Sequence, residues 1–160
     1  MIKEQSALPF DKKFTKKLRI AIVRTNYHLE LVDNLESYAR GTLITAGVIE
    51  KNITTYYVPG SWEIPLLVQS AAKSKKFDAI IAFGVIVKGE THHFDLIANE
   101  VASALMQLSI DYSLPIAFEI LAVYAMSHAE ARAGKDANNK GIEAANAVLQ
   151  TLQTLQTIKK

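Results

Sequence analysis

Four runs of aliphatic and β-branched residues, each followed by a polar turn and most then by helical periodicity, constrain this chain more than any other feature. They cover residues 18–23, 53–58, the stretch from 79 onward, and 116–123. Continuous apolar runs of this length read as strands buried on both faces rather than as half-exposed ones. Between them lie helical patterns. Leu31, Leu35, Tyr38, Ala39, Leu43 and Ala46 recur at helical spacing, and Gly47 is a natural stop. A second helix is expected to begin between Ser61 and Pro65, since proline is tolerated only in a first turn, and to end at the lysine cluster of residues 73–76. A third follows His93 through Ile97, Val101, Leu105 and Leu108 before Pro115 interrupts it, and a last one is expected over residues 142–158. Strands alternating with helices predict a parallel sheet covered on both faces, an α/β fold of three layers.

In such folds ligands sit beyond the carboxyl ends of the strands. Tyr27 and His28, residues 60–63, residues 88–93 and the positions after Val123 all fall at such ends, so topology alone can bring them to one rim. The third junction, Phe83-Gly84-Val85-Ile86-Val87-Lys88-Gly89-Glu90-Thr91-His92-His93-Phe94-Asp95, carries the most chemistry. Backbone N–H groups at a helix start lack partners and the helix dipole adds positive charge, so Gly89 and the Thr91 hydroxyl suit a phosphate. His93 would lie in the first turn as a neutral ring able to pass protons.

Other residue types support the rim more weakly when taken one at a time. Tyr27 and Trp62 are flat side chains after strand ends, able to stack on a heterocycle, whereas Phe118 lies within a strand and reads first as packing. Glu63 at a helix start is favoured by the dipole alone. Arg132 and Lys140 flank the turn of residues 134–141 and suit charge-assisted bonds to phosphate. A metal reading of His28, His92, His93 and His128 fails on spacing, because adjacent helical residues diverge by about 100° and no i, i+4 histidine pair exists. No Walker loop or GxGxxG motif is present.

With 160 residues the chain reads as a single domain over residues 18–160, preceded by a basic, flexible leader over residues 1–17. Residues 1–19 hold six Lys/Arg against two acids, leaving about −2 on the remainder of a chain whose net charge is +2. The basic character therefore belongs to a tail, and a nucleic-acid interface is not expected. Cysteine is absent and no apolar run approaches the roughly 20 residues of a membrane helix, so a cytoplasmic protein without membrane contact is expected.

Taken together, Val58-Pro59-Gly60-Ser61-Trp62-Glu63-Ile64-Pro65, residues 84–95, Pro115-Ile116-Ala117-Phe118, and Arg132-Ala133-Gly134 through Asn139-Lys140-Gly141 resemble the 6,7-dimethyl-8-ribityllumazine synthase family of riboflavin biosynthesis. The resemblance runs collinearly from about residue 18 to residue 150. It implies a flavodoxin-like α/β/α sandwich with a four-stranded parallel sheet, assembled as a homopentamer or a multiple of it with active sites between subunits. It further implies a transferase that condenses 5-amino-6-(D-ribitylamino)uracil with 3,4-dihydroxy-2-butanone 4-phosphate, releasing phosphate and water, without metal or organic cofactor.

By motif position the resemblance implies His93 as the proton-transfer residue and Gly89, Glu90 and Thr91 as the phosphate loop, with Arg132 and Lys140 reaching the phosphate. Tyr27 falls at a ring-stacking position, Ser61, Trp62 and Glu63 at the ribityl segment, Val85 and Ile86 where backbone meets the pyrimidine, and Phe118 where a neighbouring subunit closes the pocket. Three stretches depart from the family pattern. Asn26-Tyr27-His28 stands for the usual Arg-Phe-Asn, Ala122-Val123 for Thr-Thr, and Asp136-Ala137-Asn138-Asn139 for Lys-Ala-Gly-Asn. The last keeps pentamer, decamer and larger shell all open. The departures at Asp136 and at Ala122-Val123 also give some support to a lumazine- or flavin-binding protein on the same scaffold. A flavodoxin-like FMN carrier would leave Arg132, Lys140 and His93 without a shared purpose.

Overall fold

Each apolar run is a strand. In the computed structural model, which describes residues 9–160, β1 (Ile20–Thr25), β2 (Ile53–Val58), β3 (Ala79–Val87) and β4 (Ile116–Val123) form one parallel sheet in the order β2-β1-β3-β4. All three pairings are parallel, with Ile20 opposite both Ile53 and Ala79, and Ile80 opposite Ile116. The two central strands are the most buried ones. β1 is buried throughout and β3 over its first seven residues, whereas edge strand β2 exposes Tyr56 and Tyr57.

Helices α1 (Lys12–Thr15), α2 (Leu29–Thr45), α3 (Ile64–Ser74), α4 (His93–Tyr112), α5 (Met126–Arg132) and α6 (Lys140–Ile158) complete the described chain. Period-two alternation in the strands splits the core into two layers. Ile20, Ile22, Ile81 and Phe83 face α2 and α6 with Leu35 and Leu149, while Ala21, Val23, Ile80 and Ala82 face α3 and α4 with Val68 and Leu105. The result is a flavodoxin-like three-layer α/β/α sandwich. Among the described residues no helix is long and apolar enough to cross a membrane.

Two boundaries differ from those the sequence suggests. Residues 1–8 of the expected leader lie outside the described residues, but its second half is folded. The Asp11 carboxylate accepts from Lys13 N–H at 2.9 Å to start α1, and buried Thr15 donates its hydroxyl to Ala46 O at 2.7 Å. That bond satisfies a carbonyl at the end of α2, where Gly47 turns the chain at φ 108°. Helix α6 starts two residues early. Asn139 caps it by accepting from Gly141 N–H at 2.8 Å while donating its own side-chain amide to Gly134 O at 2.7 Å. Lys140 and Gly141 are thus helical.

Candidate functional site

The strand order reverses between β1 and β3, so the carboxyl ends of these two strands open the crevice where a ligand fits a fold of this type. Beyond β1, Asn26 N–H donates to Val58 O at 2.9 Å and the Thr25 hydroxyl to Tyr27 O at 3.3 Å. His28 then takes φ 53° to turn into α2, a left-handed conformation that is uncommon outside glycine. Tyr27 stands 64% exposed with its ring edge-on to His28, centroids 4.5 Å apart.

Beneath this turn lies a polar network that sequence reasoning passed over. Arg24, 3% exposed, bonds Asp33 at 2.6 Å and Glu36 at 2.9 Å through Nη1, and its guanidinium lies 5.3 Å from the Tyr57 ring centre. Arg40 and Thr55 complete the shell of Glu36. Burial pushes the Glu36 carboxyl up, but hydrogen bonds from Thr55, Arg24 and Arg40 outweigh it and hold the group below the usual carboxylate range. The available signal was a lone cation in an otherwise apolar strand, which demands buried partners.

Beyond β2, Ser61–Glu63 forms a 3-10 turn before α3, with Pro65 in the first helical turn as expected. Glu63 Oε2 accepts from Gly60 N–H at 3.1 Å. The turn crosses toward β3, where a Cβ on Gly84 would stand 2.8 Å from Ser61 Oγ and 3.3 Å from Thr25 Cγ2. Glycine at 84 therefore lets the buried Ser61 lie on the central strand while Trp62 remains exposed.

At the β3–α4 junction Val85 is buried with its side chain against the α2 and α6 layer, whereas Ile86 is half-buried. Lys88 N–H donates to Val123 O at 2.8 Å, extending the β3–β4 ladder. Gly89, Glu90, Thr91, His92 and His93 are exposed, and nothing lies within 4 Å of where a Gly89 Cβ would stand. Thr91 Oγ1 accepts from His93 N–H at 3.4 Å. His93 opens α4, and its neighbour His92 is drawn to Asp95 at 3.3 Å. Lys88 Nζ sits 5.4 Å from the centre of the exposed Tyr124 ring.

Three expected site residues make their contacts elsewhere than with the residues above. Phe118 lies midway along β4, opposite Ala82 and five residues before the strand ends, 40% exposed on the sheet edge. Arg132 closes α5 and donates to His128 O at 2.9 Å, and Lys140 pairs with Glu143 in the first turn of α6. Beside them on β4, burial and the charge of Glu143 push the Glu119 carboxyl up to about 7 against the opposing pull of Lys140. Among the described residues no group of three or more His, Asp or Glu side chains is assembled that could hold a metal. A groove of about 690 Å³ between Phe10, Tyr38, Thr42, Ile142 and Asn146 lies on the α2–α6 layer and holds none of the expected site residues.

The family described as 6,7-dimethyl-8-ribityllumazine synthase matches residues 17–156. A protein of that name from Polaromonas sp. is 42% identical over 139 residues, spanning 85% of this chain and 90% of its own length. Namesakes from Blochmanniella pennsylvanica and Campylobacter hominis are 43% and 37% identical, over 89% and 91% of this chain and 90% and 93% of theirs.

Proposed function

The chain belongs to the 6,7-dimethyl-8-ribityllumazine synthase family and is an enzyme of riboflavin biosynthesis, and on that premise we propose which of its residues perform the reaction. It condenses 5-amino-6-(D-ribitylamino)uracil with 3,4-dihydroxy-2-butanone 4-phosphate to 6,7-dimethyl-8-ribityllumazine, releasing phosphate and water.

The arylamine attacks the ketone carbonyl, and loss of water leaves an imine. Removal of a carbon-bound proton then expels phosphate and leaves an enol, which tautomerises to a methyl ketone with its new carbonyl at the former hydroxyl carbon. Attack by the ribityl-bearing nitrogen on that carbonyl closes the ring with loss of water. Each step moves a proton, and none draws on an outside oxidant or reductant. His93, exposed at the head of α4, is the proton carrier, and Gly89, Glu90 and Thr91 with the α4 N-terminus hold the phosphate in reach of it. Tyr27 stacks on the pyrimidine while the backbone of Val85 and Ile86 reads its edge. Ser61, Trp62 and Glu63 take the ribityl hydroxyls. Holding both reactants in one crevice supplies much of the acceleration.

The observation that carries this reading is the turn Ser61–Glu63 seated over Gly84, next to the exposed junction of residues 89–93. Phe118 sits instead on the outer strand β4, five residues before its end, which supports a site completed by a neighbouring subunit, with Arg132 and Lys140 bringing their charges to the phosphate there. From the family membership we further propose that the assembly is a homopentamer or a multiple of it, and that its place is the cytoplasm.

Mixing the purified protein with both substrates and following lumazine absorbance tests the assignment. His93→Ala is expected to lower kcat by about 100-fold with KM values little changed. An unchanged kcat would remove His93 from proton transfer. If the wild-type chain gives no acceleration but binds lumazine, the protein is a binding protein on the same scaffold.

A further inference from the structure

Arg24 touches none of the groups assigned to substrate, yet it joins the three elements that meet at the first rim turn. Its Nε donates to Thr25 O at 3.4 Å at the end of β1, and Nη1 bonds Asp33 and Glu36 in the first turns of α2. Its guanidinium also lies against the Tyr57 ring of β2. A buried cation gives no packing advantage over an apolar side chain of similar volume, because desolvation offsets much of its attraction to the carboxylates. Directional bonds distinguish the two.

The turn enclosed by those bonds is Asn26-Tyr27-His28, and besides the bond from Asn26 N–H to Val58 O at 2.9 Å its side chains do little to hold it. His28 sits in the left-handed region and provides no side-chain cap to α2. Tyr27 is mostly exposed, its ring touching His28 and its carbonyl bonded by Thr25. The strand before the turn and the helix after it are both fastened to one guanidinium.

We propose that Arg24, through Asp33 and Glu36, is a positioning residue for Tyr27, bracing the β1–α2 turn so that the ring presents its face to the pyrimidine substrate. The bracing stands on geometry alone, while the substrate rests on the function proposed above. The two carboxylates differ in kind. Glu36 is shared with Arg40 and Thr55 and is integral to the fold, whereas the Asp33 side chain is 63% exposed and serves Arg24 alone among the bonds it makes in the described residues.

Asp33→Asn is therefore the informative variant, since it weakens one arm of the brace without stranding a buried carboxylate. Arg24→Lys, which keeps the charge but not the fork, is its companion. Amide hydrogen exchange over residues 26–32 is expected to quicken about three- to tenfold in Asp33→Asn, with the β3–α4 junction unchanged. The KM for 5-amino-6-(D-ribitylamino)uracil is expected to rise by a similar factor, with the KM for the butanone phosphate and kcat within about twofold of wild type. Arg24→Lys is expected to move the same two quantities further.

Unchanged exchange over residues 26–32 would overturn the brace, as would faster exchange spread evenly over the sheet. Equal rises in both KM values would overturn the link to Tyr27. A wild-type chain that forms no lumazine would refute the enzymatic function without touching the brace. Equilibrium binding of lumazine then replaces KM, with weakening of the same factor in Asp33→Asn expected and unchanged affinity overturning the link to Tyr27.

Discussion

Neutralising Glu119 is expected to stabilise this protein above neutral pH and to remove a pH dependence that a carboxylate in β4 imposes. The group faces α6, where burial first and the charge of Glu143 second push it up to about 7 from 4.5, with Lys140 pulling the other way. Between those two values the folded chain keeps a proton that the unfolded chain has released. Stability therefore falls as pH rises through the window, with the contribution of Glu119 complete below about pH 4.5 and lost above about pH 7. The interval is equivalent to about 3 kcal/mol, and partial access of water reduces the expected effect to about 2 kcal/mol. Glu119→Gln should match wild type near pH 4.5 and exceed it at pH 8 by that amount, or by about 4–8 °C in Tm for a chain of this size. Unfolding at a fixed protein concentration across pH 4.5 to 8 would measure it. Parallel pH profiles for the two proteins, or a glutamine variant weaker at pH 8, would refute the assignment of a protonated Glu119 to the folded state.

Two glycines, with a third as control, offer sharper tests of packing. A Cβ on Gly141 would stand 2.1 Å from Leu35 O, so Gly141→Ala should force α6 off α2 and cost about 3 kcal/mol, read as a lowered denaturant midpoint. Gly41→Ala is its control, since nothing lies within 4 Å there and the α2 backbone should gain about 0.5–1 kcal/mol. Gly84→Ala should displace Ser61, costing about 1 kcal/mol and raising the KM for the ribityl substrate. Combining it with Ser61→Gly should restore the stability but not the KM, and a KM unchanged in Gly84→Ala would detach Ser61 from the ribityl chain.

The strands and most helices of this protein are legible in its sequence because their signals are local. Apolar runs give β1 to β4, the proline at 65 and the glycine at 47 punctuate α3 and α2, and alternation alone predicts the parallel sheet and its rim. The junction carrying residues 89–93 is visible for the same reason, as a strand, a glycine and a helix start in succession. What required the tertiary structure is every property that depends on partners distant in the chain. Folding of the segment before β1 rests on Thr15 reaching Ala46, a separation of 31 residues, whereas its basic composition alone suggests a flexible leader. The bonds of Arg24 to α2 and of Glu36 to Thr55 on β2, the approach of Ser61 to Gly84, and the charges of α6 that surround Glu119 are likewise invisible to periodicity. A sequence pattern specifies which face of an element is buried. Which polar group meets which, and therefore which charge is braced and which is held protonated, is decided only when the layers close on one another.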